Sequence, residues 1–131
     1  MIDHIGFPVS DISSSRAFYE RALSPLGISL LMEITEEMTG GHGVHLGFGR
    51  DGKPFFWIGT GRPAASGTHV AFAARDHSAV DAFHKAALEA GGRDNGAPGP
   101  RPIYHPDYYG AFILDPDGNN IEAVCHGEGG A

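Results

Sequence analysis

The chain repeats itself. Sliding it by 65 residues aligns HIGFPVSDISSSRAFYERALSPLG (4–27) with HVAFAARDHSAVDAFHKAALEAGG (69–92) without a gap. Nine of the 24 aligned pairs are identical: His4/His69, Phe7/Phe72, Asp11/Asp76, Ser13/Ser78, Ala17/Ala82, Phe18/Phe83, Ala22/Ala87, Leu23/Leu88 and Gly27/Gly92. A tandem duplication constrains the fold strongly. Both copies must form the same supersecondary unit, and a half of about 65 residues buries too little apolar area to stand alone comfortably.

Each copy reads the same way. An apolar strand (2–9, 67–74) is followed by an Asp at the helix N-cap, Asp11 or Asp76. A helix comes next, with apolar spacing clearest at Val80, Phe83, Ala87 and Leu88. Gly27 and Gly91–Gly92 stop the two helices. Copy one continues with three strand-like runs, 28–34, 42–49 and 54–59, the last two joined by the hairpin signal Arg50–Asp51–Gly52–Lys53. In copy two, NGAPGPRP (95–102) suggests a short, broken edge strand. It is followed by YYGAFIL (108–114), the turn DPDG (115–118) and NNIEAVC (119–125). The expected fold is α+β: two tandem βαβββ modules forming a curved mixed β-sheet cleft, with the helices outside. It is read as a single domain, 1–131, with module one at 1–64, module two at 65–126 and a tail at 127–131 expected to fray.

Composition narrows the function classes. At 131 residues, 41% hydrophobic and 19% charged, the chain is an ordinary globular domain. A net charge of −7 with no Lys/Arg cluster argues against nucleic acid and anionic membrane as partners. No apolar run approaches the length that spans a bilayer, and no basic, then apolar leader opens the chain. The single cysteine, Cys125, fits a reducing cytoplasm.

One residue in the last strand stands out. Glu122 lies between Ile121 and Ala123, and burying a carboxylate there is costly unless something pairs with it. The repeat puts His4 and His69 at the same place on equivalent first strands. Strand parity groups His4 with Ile2 and Gly6, His69 with Gly67 and Ala71, and Glu122 with Asn120 and Val124. Two imidazoles and a carboxylate make a first shell for a divalent metal with positions left for water or substrate. The position equivalent to Glu122 in copy one is Trp57 by the 65-residue shift, or Phe56 if the Asp-Gly turns are aligned. Taken singly, a strand histidine is more often a hydrogen-bonded structural residue than a ligand.

HIGFPVSD with the following RAFYERAL, the second GTHVAFAARD and the terminal DPDGNNIEAV resemble the vicinal oxygen chelate superfamily, which groups glyoxalase I, extradiol dioxygenases, fosfomycin-resistance proteins and bleomycin-binding proteins. The resemblance runs over nearly the whole chain and implies metal ligands at His4, His69 and Glu122. It implies one divalent ion, Fe, Mn, Ni or Zn, acting as a Lewis acid on oxygens of a small-molecule substrate. It also implies a homodimer. The branches differ here. Trp57 stands where glyoxalase I usually has a second Glu, no Lys or Arg follows Glu122 as in fosfomycin-type transferases, and Phe112 stands where many extradiol enzymes carry a Tyr. The expected activity is a glyoxalase-like (lactoylglutathione-lyase-like) or ring-cleaving dioxygenase-like step on a small oxygen-rich or aromatic substrate. The competing class is a binding or sequestering protein of the bleomycin-resistance type.

The remaining pocket is expected around YHPDYYG (104–110). His105 and Tyr109 are the acid/base candidates, Tyr104 and Phe112 line the substrate, and Phe56 and Trp57 form an apolar wall. His42 and His45 are assigned to loop or lid packing, His77 and His84 to the solvated face of the second helix, and Cys125 to the core.

Overall fold

The computed structural model describes residues 2–63 and 68–127; Gly67 and most of the expected tail lie outside them. Module one contains β1 (Ile5–Val9), α1 (Ile12–Leu23), β2 (Ser29–Ile34), the short helix α2 (Glu36–Thr39), β3 (His45–Arg50) and β4 (Lys53–Thr60). Module two contains β5 (His69–Ala73), α3 (His77–Glu89), β6 (Arg93–Pro100), β7 (Tyr109–Leu114) and β8 (Asn120–Cys125). The two four-stranded sheets have the same order, β1-β4-β3-β2 and β5-β8-β7-β6. In each, the first strand runs parallel to the last and the other pairings are antiparallel. This is the architecture that the repeat predicts.

Local chemistry accounts for the elements. The Asp11 carboxylate accepts the Ser13 and Ser14 amides at 3.1 Å, and Asp76 accepts the Ala79 amide at 2.8 Å. These caps satisfy donors that the first helical turn leaves free. At the helix ends the copies differ. Gly27 has φ +75°, whereas in copy two it is Gly91, not the aligned Gly92, that turns left-handed, with φ +98°. Gly92 is small for another reason: a Cβ there would stand 2.7 Å from both Phe18 and Ile113.

Three boundaries differ from expectation. β1 starts at Ile5, opposite Phe56, so His4 precedes the strand. β6 is longer than the fragment expected, spanning eight residues with register shifts between Asp94 and Gly96 and between Gly96 and Gly99. Its outer position tolerates Pro98 and Pro100, which lack an N–H for a ladder. Helix α2, capped by Thr35, is only four residues long and shows no periodicity in the sequence.

The core is continuous across both modules. Phe18, Tyr19, Phe48, Phe56 and Phe83 are fully buried. Phe56 of β4 meets Phe72 of β5 edge-on at 5.1 Å and Tyr19 of α1 at 5.0 Å. A polar latch runs through this apolar joint. The buried Asp115 carboxylate, in the β7–β8 turn, accepts the Tyr19 hydroxyl at 2.5 Å, the Asn119 amide and side chain at 2.8 Å each, and the Asp117 amide at 2.9 Å. Two residues on, Asp117 accepts both the amide and the hydroxyl of Ser10. The Asp-Pro-Asp-Gly turn of module two is thereby bonded to module one. Burial, and next the Asp115 charge, raise the Tyr19 hydroxyl well above its ordinary value of 10.0, so it stays a donor.

Asp115→Ala strands several buried donors and should lower the unfolding free energy by about 2–4 kcal/mol, against about 1–2 kcal/mol for Tyr19→Phe, both read by urea denaturation. Because the folded-state pKa of Tyr19 is raised, its stabilisation is complete below pH about 10 and declines as pH rises further. Tyr19→Phe should therefore flatten the loss of stability above that pH; an unchanged slope would remove Tyr19 from the latch.

Candidate metal centre

Glu122 lies in the middle of β8, opposite Ala71 on β5 and Phe112 on β7. Its side chain is 2% exposed and faces away from the helices. Both oxygens are engaged. Oε2 accepts the Tyr108 hydroxyl. Oε1 lies 3.2 Å from His69 Nε2, and the His69 side chain is 44% exposed. Gly110, on the same face of β7, clears the way, since a Cβ there would stand 3.1 Å from Oε2.

The tautomer of His69 follows from its other nitrogen. Nδ1 is 2.9 Å from the carbonyl oxygen of Asn120, which can only accept, so Nδ1 carries the hydrogen. In the neutral ring Nε2 then presents a lone pair to a carboxylate oxygen. This contact is completed by a second ring hydrogen or by a metal ion beside the pair, and a ring N–H bonded to a backbone carbonyl is the usual way a ligating histidine is oriented. His69 and Glu122 thus fit a metal ion by their chemistry.

His4 is oriented in the same manner. Its Nδ1 is 2.7 Å from the Asp3 carboxylate, which also holds Lys53 at 2.8 Å, so Nε2 is left open. Lys53 and then His4 hold the Asp3 carboxyl below the usual carboxylate range. His4 and His69 border one cavity of about 470 Å³, with Phe55 and Ala71 among its walls. Among the described residues, however, no three His, Cys, Asp or Glu side chains converge on one point within the chain. The structure brings His69 and Glu122 together and leaves His4 across the cavity.

The other site residues divide. Phe112 stays close: its ring is nearly parallel to His69, with centroids 6.3 Å apart, and Arg101 lies 5.5 Å over it. Tyr104 is 58% exposed and packs on Tyr108 at 4.9 Å. His105 packs edge-on to Tyr108 at 5.5 Å, and its Nε2 is 2.6 Å from Nδ1 of His126 at the end of β8. Trp57 is half-buried on the sheet face away from the helices, opposite Gly6. Because Gly6 and Ala71 are repeat-equivalent and Ala71 faces Glu122, Trp57 rather than Phe56 holds the position of Glu122 in module one.

Phe56 and Tyr109 sit differently. The Phe56 ring is in the core among Phe7, Tyr19, Phe48 and Phe72, because it alternates with Trp57, and the residue also borders the cavity shared by His4 and His69. Tyr109 faces α3: its hydroxyl donates to Asp81 at 2.7 Å and its ring stacks on His77 at 3.7 Å. The Asp81 hydrogen bond, then burial, push that hydroxyl up to about 12. Its neighbour Tyr108 is the tyrosine that reaches Glu122. Phe112 pairs with Glu122, so 110 and 108 share the face of Glu122 while 109 and 111 do not. Burial, and next the bond to Glu122, raise the Tyr108 hydroxyl, which stays protonated as a donor. His77 and His84 are not simply solvated either, as His84 is 12% exposed and bonds Asp94 at 3.0 Å.

The sequence profile of the Glyoxalase/Bleomycin resistance protein/Dioxygenase superfamily matches residues 1–123. The chain belongs to this superfamily. Among solved structures it is similar to a glyoxalase/bleomycin resistance protein from Albidiferax ferrireducens T118, with 31% identity, TM-score 0.78, and 95% of this chain and 98% of that one covered. It is similar in fold to a glyoxalase I mutant from Zea mays, with 24% identity and TM-score 0.71, over 94% of this chain and 46% of that one. It thus spans about half of the maize enzyme. A third fold relative is the fosfomycin resistance protein FosX from Listeria monocytogenes, a mutant complexed with Mn(II) and 1S,2S-dihydroxypropylphosphonic acid, with 18% identity, TM-score 0.67, and coverage of 94% and 87%. No curated protein matches the chain.

Within this superfamily fold, adjacent tyrosines should behave oppositely. In metal-free protein Tyr108→Phe removes a donor from a buried carboxylate and should cost about 1–3 kcal/mol by urea denaturation. Tyr109→Phe, whose partner is exposed, should cost less than about 1 kcal/mol. Equal losses would contradict the placement.

Proposed function

We propose that the chain is a metal-dependent enzyme of the superfamily, with one divalent ion, Fe, Mn, Ni or Zn, held by His4, His69 and Glu122. The observation that carries this reading is the convergence of His69 Nε2 on the buried Glu122 Oε1, 3.2 Å apart. The bound ion would supply Lewis acidity to oxygens of a small oxygen-rich or aromatic substrate. Tyr108 gives its hydroxyl hydrogen bond to one oxygen of Glu122 and so holds that carboxylate in place. His105 accepts the Asp107 amide at Nδ1, 3.1 Å away, so its Nε2 carries the hydrogen directed at His126. That pair is able to take up or release a proton at the same rim.

A homodimer completes the site in this reading. β1 and β5 are edge strands in their sheets, and His4 and His69 line the cavity beside them. A second copy related by a twofold axis can set its His4 against the His69–Glu122 pair, with the reciprocal site formed at the same time. The buried lone thiol of Cys125 suits a reducing, cytoplasmic setting.

Elemental analysis of protein purified without chelator tests the metal. Near-stoichiometric metal should be present in the wild type and lost in His69→Ala and Glu122→Gln, with the fold retained. No metal in any form, even after reconstitution, would overturn the proposal and favour a binding protein. A mixing experiment tests the shared site: His4→Ala and His69→Ala chains, each metal-poor alone, should recover in mixed dimers about half of the wild-type content. No recovery would place the three ligands in one chain.

A further inference from the structure

The face of the first sheet turned away from the helices carries a feature that the metal reading does not use. Its residues form two cross-strand rows, Gly6–Trp57–Gly47 and Pro8–Gly59–His45. Trp57 has glycine on both neighbouring strands. Its six-membered ring lies flat on Gly47, where three ring carbons would stand 2.8–2.9 Å from a Cβ. His45 lies over Gly59 in the same way, with Nδ1 2.5 Å from the place of the missing Cβ. Each ring thus occupies room that an absent side chain leaves. Between them remains a slot of about 270 Å³, bounded by Gly6, Pro8, His45, Trp57, Gly59 and Thr60.

The shape and polarity of this slot select a ligand. The floor is bare backbone at Gly6 and is covered by the His45 ring at Gly59, and the rim is an indole, an imidazole and a pyrrolidine ring. A flat molecule meets such walls over its whole face, whereas a puckered one touches them only at points. One end is polar. The His45 ring makes no hydrogen bond to any described residue. The Thr60 hydroxyl oxygen accepts the Val44 amide at 3.1 Å, which leaves its hydrogen to give. We infer that the slot is a subsite for a planar aromatic ring bearing a hydrogen-bond acceptor, the ring against Trp57 and the glycines and the acceptor turned to His45. The inference rests on the reading above in taking this face as part of the substrate cleft. Gly6 is two residues from His4, so the ring lies about 7 Å along the chain from that ligand.

Trp57 is the chain's single tryptophan, so its fluorescence reports the slot directly. Metal-free protein would be titrated with benzamide and with cyclohexanecarboxamide, which has the same acceptor on a puckered ring. Benzamide should change the emission saturably, with a Kd of the order of millimolar for so small a ligand. It should bind roughly 2- to 10-fold more tightly than the saturated analogue. His45→Ala should weaken benzamide by about 3- to 10-fold, and Gly59→Ala, whose methyl would stand 2.5 Å from the present place of His45 Nδ1 and displace that ring, should weaken it to a similar extent. Both variants should keep wild-type metal content and circular dichroism. Equal affinity for the two amides, non-saturable quenching, or indifference to His45→Ala would overturn the inference. So would emission that follows protein dilution but not ligand, since a second copy would then fill the slot. Saturable benzamide binding in a protein that never takes up metal would sink the metal proposal alone, and stoichiometric metal without benzamide binding would sink this one alone.

Discussion

One buried carboxylate closes the joint between the two halves. Each module leaves an apolar sheet face that it cannot cover by itself, and the shared cluster of Phe18, Tyr19, Phe56 and Phe72 answers that need without fixing direction. Asp115 fixes it. Hydrogen bonding is angular, and this carboxylate receives the Tyr19 hydroxyl from one module and its own turn's donors from the other. With the Asp115 turn tied to α1, β8 enters its sheet in one register, and that register places Glu122 on the face away from the helices.

Glu122 then faces the energetic problem that Asp115 solves with donors alone. It receives one hydroxyl, from Tyr108, and on its other oxygen meets an imidazole nitrogen whose hydrogen is on the far side of the ring. These two buried carboxylates lie seven residues apart and differ in what surrounds them. Asp115 is satisfied by the protein. Glu122 is satisfied on one side by Tyr108 and on the other meets an imidazole nitrogen, a contact that a ring hydrogen or a metal ion completes.

Much of this is legible in the sequence. The 65-residue repeat implies the βαβββ units, and period-two alternation places Glu122 and His69 on corresponding faces. The side on which a residue lies follows only where alternation is carried through. Phe56 and Trp57 cannot share a face, and neither can Tyr108 and Tyr109; counting from Glu122 through its partner Phe112 separates them. Other features depend on packing that no local pattern encodes. His4 sits outside its strand because the Phe56–Ile5 pairing ends the ladder and Asp3 with Lys53 holds the ring instead. Whether three ligands meet depends on how sheets pack against each other, within a chain or between two. A repeat gives the equivalence of positions but not that arrangement.

The duplication also shows how one fold can carry two chemistries. Trp57 and Glu122 occupy the same place in their sheets, opposite Gly6 and Ala71. What distinguishes them is the neighbour on the third strand. Beside Glu122, β7 offers Phe112, with Gly110 clearing space for the carboxylate and Tyr108 donating to it. Beside Trp57, β3 offers Gly47, the counterpart of Phe112, on which an indole lies flat and where any side chain would collide with it. A carboxylate at 57 would find a bare glycine shelf with no hydroxyl to hold it, and an indole at 122 would find its bed filled by the Phe112 ring. The exchange of one residue therefore depends on its cross-strand neighbours changing with it. The two sheet faces diverge as sets, one towards holding charge and the other towards holding a flat ring.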